Sequence, residues 1–427
     1  MIQAIEANRY MGLGLSAFDP NLSLPRHRWY EFKEGFSEQL VNLAIDHSGL
    51  SAKKVRILDP FVGSGTSVVT AGKLGLSAVG IEVNPFLNFA ARAKCTHNQW
   101  TERGFKKAID GIFALSRHEE RSPLEGFSTF TESAQNEKWL FNRSVIRGFT
   151  SLQNALHGFP RYNRPLRLAL FASLMDCCNA KRDGKCLRYQ KDWSTFGYNS
   201  SHIRDVFRRR AQTVFEDISE HSFDSRNLRI LRGDSRKRLE HLESNYFDLL
   251  ITSPPYLNSF DYSDVYRPEL FAGDFVANNE ELRKIRLQTL RSHVQVKWKA
   301  STAVASTLLI PIFEQLKDVK MWSSQLPAMI KSYFVDMEEV LKLSARRMRS
   351  QGQAWIVVAT SAYGGVEIPV DLILADIATR TGWILEGVYV LRQLRSAGQH
   401  WSRLENRKRL PLRESLIVLK RAKRITS

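Results

Sequence analysis

The sequence has few cysteines for its length of 427 residues. The four are Cys95, Cys177, Cys178 and Cys186. Four cysteines with such uneven spacing argue against a disulfide framework, and the lack of paired C-x-x-C spacing argues against a zinc site. We therefore expect no metal.

Long apolar runs and a targeting segment are also missing. The apolar stretch at residues 300–313 is too short for a membrane span and is interrupted by Ser, Thr and Pro. Residues 1–11 lack the basic segment followed by an apolar stretch that marks a secretion signal. We expect a cytoplasmic protein that has no membrane partner.

Acidic residues are in short supply relative to basic ones. The chain has 62 Lys and Arg against 44 Asp and Glu, a formal net charge of +18. Such an excess favours a polyanionic partner, and nucleic acid before a membrane surface. The hydrophobic content of 43% is ordinary for a soluble globular protein and is enough for a large core.

Short apolar runs alternate with helical patterns along the chain. A buried strand, a glycine-containing turn, a helix and a second strand occupy residues 55–83, which predicts a βαβ unit in a parallel sheet. The alternation returns at residues 228–252 and 353–391, and residues 413–419 predict a last, antiparallel strand. The fold class is therefore α/β.

Two regions interrupt this alternation with mainly helical patterns. They are residues 99–226 and residues 256–332. We predict one sheet domain, built from residues 20–98 and 227–427, with residues 99–226 as a long insertion.

The first turn contains a glycine-bearing string. Its sequence is Asp59-Pro60-Phe61-Val62-Gly63-Ser64-Gly65-Thr66. Ligands of open α/β sheets lie beyond the carboxyl ends of the strands, and Gly63 and Gly65 permit close approach to the backbone. Val68 replaces the third glycine of G-x-G-x-x-G, so the pyrophosphate fingerprint is incomplete. Glu82, at the end of the second strand, is placed to accept hydrogen bonds from both hydroxyls of a ribose.

The second string follows the strand that ends near residue 252. Its sequence is Thr252-Ser253-Pro254-Pro255-Tyr256. Exocyclic amino groups of nucleobases are poor nucleophiles, and the Ser253 side chain and the Pro254 carbonyl offer two acceptors for the amino hydrogens. The two prolines remove competing backbone donors. Tyr256 offers a stacking face worth ~1–3 kcal/mol per base, which is comparable with the few kcal/mol that extrusion of a base costs.

Together the two strings resemble those of the S-adenosylmethionine-dependent DNA amino-methyltransferases, the N4-cytosine and N6-adenine type. The resemblance implies a Rossmann-like seven-stranded methyltransferase sheet with an antiparallel final strand and a mostly helical insertion. It also implies S-adenosyl-L-methionine as cofactor, DNA as substrate and a cognate restriction endonuclease in a restriction–modification or defence system. The Ser-Pro-Pro-Tyr form is most often seen in enzymes that methylate cytosine N4. The motif resemblance covers about half to two-thirds of the chain.

The resemblance also implies roles for individual residues. Residues 20–98 become the cofactor-binding half of the domain and residues 227–427 the catalytic half. The expected cofactor-binding residues are Asp59, Phe61, Gly63, Gly65, Thr66, Glu82, Asn84 and Asp234. The expected catalytic residues are Ser253, Pro254, Pro255 and Tyr256. Residues 27–40 loosely resemble the family segment that closes over the methionine tail, although their aromatic side chains equally suit a core.

Basic residues interleaved with aromatic ones mark a candidate DNA-reading region in the insertion. The predicted nucleic-acid-binding residues are Lys181, Arg182, Lys185, Arg188 and Lys191. The insertion also contains a basic run at residues 208–210, and two basic clusters outside it, at residues 283–299 and 392–409, are candidates for lining the opposite side of a groove. We predict that the insertion is the main target-recognition element.

Three alternatives remain open at this stage. The first is methylation of adenine N6 in DNA. The second is methylation of an RNA base, although no RRM or KH pattern is present. The third is a non-catalytic DNA-binding subunit, against which the intact Gly63, Glu82 and Ser253 argue. The chain has no Pro-Cys dipeptide, so nothing suggests covalent C5-cytosine chemistry.

Overall fold

The computed structural model describes residues 5–6, 9–50, 54–97, 99–183, 186–296, 301, 303–394 and 412–423. Its strands are β1 (Ile5–Glu6), β2 (Arg56–Asp59), β3 (Ser77–Glu82), β4 (Ala180–Asp183), β5 (Cys186–Tyr189), β6 (Leu228–Arg232), β7 (Phe247–Thr252), β8 (Met348–Ala359), β9 (Ser361–Tyr363), β10 (Val366–Ile368), β11 (Trp383–Gln393) and β12 (Arg413–Arg421).

The described part of the chain contains fourteen α-helices. They are α1 (Glu38–His47), α2 (Thr66–Lys73), α3 (Pro85–Lys94), α4 (Glu102–Leu115), α5 (Arg143–Leu156), α6 (Pro160–Asp176), α7 (Ser200–Glu220), α8 (Ser235–Glu240), α9 (Tyr262–Val265), α10 (Arg267–Ala272), α11 (Asn279–Arg286), α12 (Leu309–Leu316), α13 (Leu326–Arg347) and α14 (Val370–Arg380).

The central sheet has the strand order β1-β11-β12-β8-β7-β2-β3-β6. Strand β12 runs antiparallel to its neighbours β8 and β11, and the other pairings are parallel. The predicted Rossmann-like sheet with an antiparallel final strand is confirmed. The two-residue β1 adds an eighth strand that the sequence did not predict, because so short a segment carries no period.

The centre of the sheet explains why the two strings meet. All six residues of β7 are buried, as expected for a strand covered on both faces. In the parallel pairing of β2 and β7, Ile57 lies opposite Leu249 and Leu58 opposite Leu250. Both strands therefore end at the same edge and at nearly the same level. The glycine turn and the Ser-Pro-Pro-Tyr string begin side by side.

The insertion is mainly helical, as its pattern predicts. It contains α4 to α7 and one antiparallel hairpin, β4–β5. Its apolar side chains join one cluster with α3, α10 and α11, in which Phe86, Phe171 and Leu270 are buried. The insertion therefore packs directly on the sheet domain. Its predicted role in target recognition remains a prediction.

Within the described ranges, no helix is both long and apolar enough to cross a membrane. No group of three or more His, Cys, Asp or Glu side chains among the same residues is arranged to hold a metal ion.

Candidate active site

A cavity of about 510 Å³ lies at the carboxyl edge of the sheet. This volume is in the usual range of small-molecule sites. Six of the eight predicted cofactor residues line it: Phe61, Gly63, Thr66, Glu82, Asn84 and Asp234. The four predicted catalytic residues line it as well: Ser253, Pro254, Pro255 and Tyr256. Folding thus brings together two strings that are about 190 positions apart in the sequence.

The remaining two predicted cofactor residues, Asp59 and Gly65, support the cavity from behind. Asp59 ends β2, and its buried carboxylate accepts hydrogen bonds from the Phe61 N–H (3.0 Å), the Ser67 hydroxyl (2.5 Å) and the Thr252 hydroxyl (2.7 Å). Burial raises the pKa of Asp59 to about 6, while the three hydrogen bonds favour its ionised form. The carboxylate therefore joins the turn, α2 and the end of β7.

The glycines of the turn occupy backbone conformations and spaces that other residues would not fit. Gly63 has φ +52° and Gly65 has φ +101°. A Cβ at Gly63 would lie 2.6 Å from Cε1 of Phe32, and one at Gly65 would lie 3.1 Å from Cα of Ala91 in α3. The turn is consequently packed against its surroundings at both positions. Only a residue without a side chain fits at these two positions.

Glu82 and Asn84 form the next part of the wall. One oxygen of Glu82 accepts from the Gly63 N–H at 3.0 Å and the other from the Asn84 N–H at 2.7 Å. Burial raises the pKa of Glu82 to about 7. The Asn84 side-chain oxygen caps α3 by accepting from the N–H groups of Phe86 and Leu87, whereas its Nδ2 is buried and has no partner among the described residues.

Asp234 reaches the cavity as the N-cap of α8. It accepts from the Arg236 N–H at 3.0 Å and pairs with the Arg236 guanidinium at 2.8 Å. The guanidinium also pairs with the buried Asp336 at 2.6 Å. The neighbouring Ser235 donates a hydrogen bond to the Pro60 carbonyl, which attaches this helix to the glycine turn. Asp234 is therefore held in a defined position.

The segment at residues 27–40 reaches the cavity as well. Phe32, Glu34 and Phe36 are among its lining residues. The Tyr266 hydroxyl donates to Glu34 at 2.6 Å, and burial raises the pKa of Glu34. Glu34 has no distinguishing pattern in the sequence, and its position in the wall is visible only in the folded chain.

Lys94 ties that segment to the turn. Its side chain is fully buried in the described structure, and its Nζ donates to the Tyr30 carbonyl at 3.0 Å and to the Ser64 hydroxyl at 3.4 Å. Burial lowers the pKa of Lys94 to about 7. Sequence reasoning missed this residue, because a lysine at a helix end ordinarily lies in solvent.

The Ser-Pro-Pro-Tyr string forms the opposite wall. The Ser253 hydroxyl donates to the Tyr256 hydroxyl at 3.5 Å, and the Tyr256 N–H donates to the Tyr262 hydroxyl at 3.5 Å. Both contacts are long and therefore weak, and the first leaves the Ser253 oxygen largely free to accept other hydrogen bonds. Burial raises the pKa of both tyrosine hydroxyls, which keeps them neutral. Asn258 and Phe260 complete this wall.

The hairpin β4–β5 carries most of the predicted DNA-binding residues. Lys181 lies directly opposite Arg188, and side chains alternate between the two faces of a hairpin. Lys181 and Arg188 therefore share the outer face, where both are exposed, and Lys191 is exposed just beyond β5. Lys185 lies outside the described residues. The DNA contacts of these residues remain predictions.

Arg182 falls on the inner face, and the prediction that it contacts DNA is corrected. Its guanidinium pairs with the fully buried Glu269 and lies 4.5 Å from the ring centroid of Tyr266. The Tyr30 hydroxyl donates to the same carboxylate at 2.5 Å. Since a buried carboxylate is strongly unfavourable without a cation, Arg182 is committed to the interior.

Comparison with known proteins finds relatives that are type II methyltransferases. M.AvaI of Nostoc sp. is 26% identical in an alignment of length 411 that spans 88% of this chain and 82% of the relative. M.BsoBI of Geobacillus stearothermophilus is 25% identical in an alignment of length 470, gaps included, that spans 98% of this chain and 90% of the relative. M.MvaI of Kocuria varians is 20% identical in an alignment of length 389 that spans 87% of this chain and 84% of the relative. No protein-family model matches the chain. The similarity extends well beyond the half to two-thirds that the motifs cover.

The substitution Gly63→Ala tests the cofactor turn. A side chain here adopts positive φ, which costs roughly 1–2 kcal/mol, and also displaces the Phe32 ring. We expect at least about tenfold weaker binding of S-adenosyl-L-methionine by calorimetry. Gly75→Ala is the matched control, because Gly75 has φ +70° and nothing within 4 Å of its Cβ position. Equal cofactor affinity in the two variants would contradict the assignment of the turn.

Proposed function

We propose that the protein is an S-adenosyl-L-methionine-dependent DNA methyltransferase that methylates the exocyclic N4 of a cytosine rotated out of the double helix. The observation that carries this proposal is the common cavity of the glycine turn and the Ser253–Tyr256 string. Similarity to type II methyltransferases along most of the chain supports the reaction class. We further propose a role in a restriction–modification system, with a cognate endonuclease as partner.

The wall residues fit the chemical groups of this cofactor. The Glu82 carboxylate suits the two ribose hydroxyls, and the unpaired Nδ2 of Asn84 suits a ring nitrogen of adenine. Gly63 lines the cavity, and its turn is proposed to meet the methionine portion. S-adenosyl-L-methionine supplies a methyl group that a positively charged sulfur already activates. The protein therefore has to bind the cofactor and the base and to orient them towards each other. Good orientation alone lowers the activation barrier by several kcal/mol.

The second string holds the amino group that receives the methyl. Ser253 Oγ and the Pro254 carbonyl accept its two hydrogens, which draws the nitrogen towards tetrahedral geometry and frees its lone pair. Tyr256 stacks on the extruded ring. With the cofactor bound, the N–C bond would form as the C–S bond breaks, the sulfur would leave as a neutral thioether, and one amino proton would pass through Ser253 Oγ to solvent. Serine rather than aspartate at position 253 favours cytosine N4 over adenine N6.

Recognition of DNA is assigned to the outer face of the β4–β5 hairpin. Lys181 and Arg188 are exposed there, and Lys191 is exposed just beyond β5. The Lys33 side chain, which lines the cavity, donates to the Arg182 carbonyl at 3.1 Å. The hairpin thus adjoins the cavity wall. Its cations suit phosphate contacts beside the extruded nucleotide, and the net charge of +18 favours the same partner.

Product analysis tests the reaction and the base together. Unmodified DNA incubated with the protein and S-adenosyl-L-methionine is expected to yield N4-methylcytosine by nucleoside mass spectrometry. Ser253→Ala removes one of two acceptors and should lower the single-turnover rate by about 100-fold, with unchanged cofactor affinity.

The matched control is Ser259→Ala. Ser259 lies in the same loop, but its hydroxyl pairs with that of Tyr363 at 2.8 Å, so the rate should stay close to that of the wild type. N6-methyladenine as product would overturn the base assignment. A Ser253→Ala variant with full activity would overturn the proposed role of the string.

The raised pKa of Glu82 predicts pH-dependent cofactor binding. Burial raises this pKa to about 7, and only the carboxylate accepts from both ribose hydroxyls. Affinity should therefore rise as pH increases through 7 and be roughly tenfold lower at pH 6 than at pH 8. The Glu82→Gln variant should bind the cofactor more weakly and lose the part of the pH dependence that is centred near pH 7. Any pH dependence that comes from Asp59, whose pKa is about 6, should persist in the variant. Identical pH profiles for both proteins, measured by calorimetry, would contradict the role of Glu82.

A further inference from the structure

An arginine–glutamate pair lies at the far end of the cavity. Arg392 Nε donates to Glu414 Oε2 at 2.5 Å, and the two residues face each other across β11 and β12. The Glu414 side chain is 5% exposed and the Arg392 side chain 49% exposed. The carboxylate is thus fixed in the protein, and the guanidinium extends from it towards open space. Neither of the two sequence strings contains these residues.

Local strand geometry aims Arg392 at the cavity. The pairing of β11 with β12 shifts register between Val390 and Arg392. Such a bulge re-aims the side chain that follows it and is common beside active sites. Arg392 and Glu414 line the same cavity as Pro254 and Tyr256. Both charged groups also act electrostatically on the Tyr256 hydroxyl, which places them close to the catalytic string.

The strand order separates this pair from the cofactor side. The expected cofactor residues lie at the ends of β2, β3 and β6, on one side of β7. Strands β8, β12 and β11 lie on the other side. A ligand that reaches Arg392 from Ser253 therefore extends away from the cofactor. In the proposed reaction that ligand is the extruded base.

The guanidinium has donors to spare. Glu414 occupies Nε, and within the described part of the chain the structure gives Arg392 no other hydrogen bond. Its two terminal nitrogens form a rigid fork that suits a pair of adjacent acceptors. Beyond its amino group, cytosine presents N3 and O2 as such a pair. Adenine presents N1 followed by a C–H group and satisfies only one donor.

We propose that Arg392, held by Glu414, reads the N3/O2 edge of the extruded base and selects cytosine over adenine. This inference rests on the proposed methylation of cytosine N4. Ser253 and Pro254 hold the amino group, and Arg392 holds the neighbouring ring edge. Arg392 is thus the specificity-determining residue on the base side of the cavity.

A double-mutant type of cycle, which combines a protein substitution with a change in the target base, tests the proposal. The DNA is a duplex that contains the site mapped from cytosines methylated by the wild-type protein, with either cytosine or 3-deazacytosine as target. The analogue keeps the amino group and lacks the N3 acceptor. Arg392→Ala and the analogue should each lower the single-turnover efficiency by about 10- to 100-fold. Combined, they should lower it little further, because both remove the same contact.

Arg349→Ala is the matched control. Arg349 is 47% exposed and pairs with the buried Asp248 at 3.3 Å, at the opposite edge of the same sheet. We expect this variant to keep wild-type efficiency on both duplexes. Arg392→Lys keeps the charge but loses the fork, so it should retain DNA affinity and still lose discrimination against the analogue. Unchanged cofactor affinity in each Arg392 variant verifies that the cavity is intact.

Two results would overturn the inference. If Arg392→Ala and the analogue together lowered the single-turnover efficiency by the product of their separate effects, Arg392 would contact a phosphate rather than the base edge. Weakened cofactor binding in Arg392→Lys would assign it to the cofactor. The base methylated by the wild-type protein is identified first, in a separate experiment. If that base were N6-methyladenine, both the proposed function and this inference would be refuted before any variant is compared.

Discussion

The candidate site depends on one buried carboxylate. Asp59 ends a central strand and accepts hydrogen bonds from the glycine turn, from Ser67 in α2 and from Thr252, the residue before Ser253. An ionised group without partners would be very costly in this position. The three donors therefore fix the position of the Asp59 carboxylate, and the carboxylate in turn fixes the positions of the three donors. The proposed cofactor turn and the proposed base-holding string are linked because Phe61 and Thr252 both donate to this carboxylate.

The central sheet places different parts of the cavity wall on the two sides of β7. Strands on one side of β7 present Glu82, Asn84 and Asp234, and strands on the other side present Arg392 and Glu414. The Ser253–Tyr256 string stands between the two sets. In the proposed reaction the methyl donor and the acceptor have to approach in line, and this order would give each of them one wall of the cavity. Lys94 and Glu34 add a third wall by holding residues 27–40 over the turn.

Local patterns in the sequence were sufficient for much of this arrangement. The strands have continuous apolar runs and the glycine turn has its own string, so the sheet and most of the cavity wall could be predicted. The sequence did not reveal which charged residues pair with each other in the folded chain. Arg182 looks like a surface cation in its basic neighbourhood, yet it pairs with Glu269, which is 87 positions away. The pairing of Arg392 with Glu414 likewise depends on strand register, which no local pattern of charges reveals.

The most direct test of the account is a structure of the protein with the cofactor and DNA that contains the target site. We predict that the cytosine N4 lies about 3–3.5 Å from the cofactor methyl carbon, with its hydrogens directed at Ser253 Oγ and the Pro254 carbonyl. The ribose should lie on Glu82. A cofactor bound away from the Gly63 turn, or a target base that remains stacked in the double helix, would contradict the account.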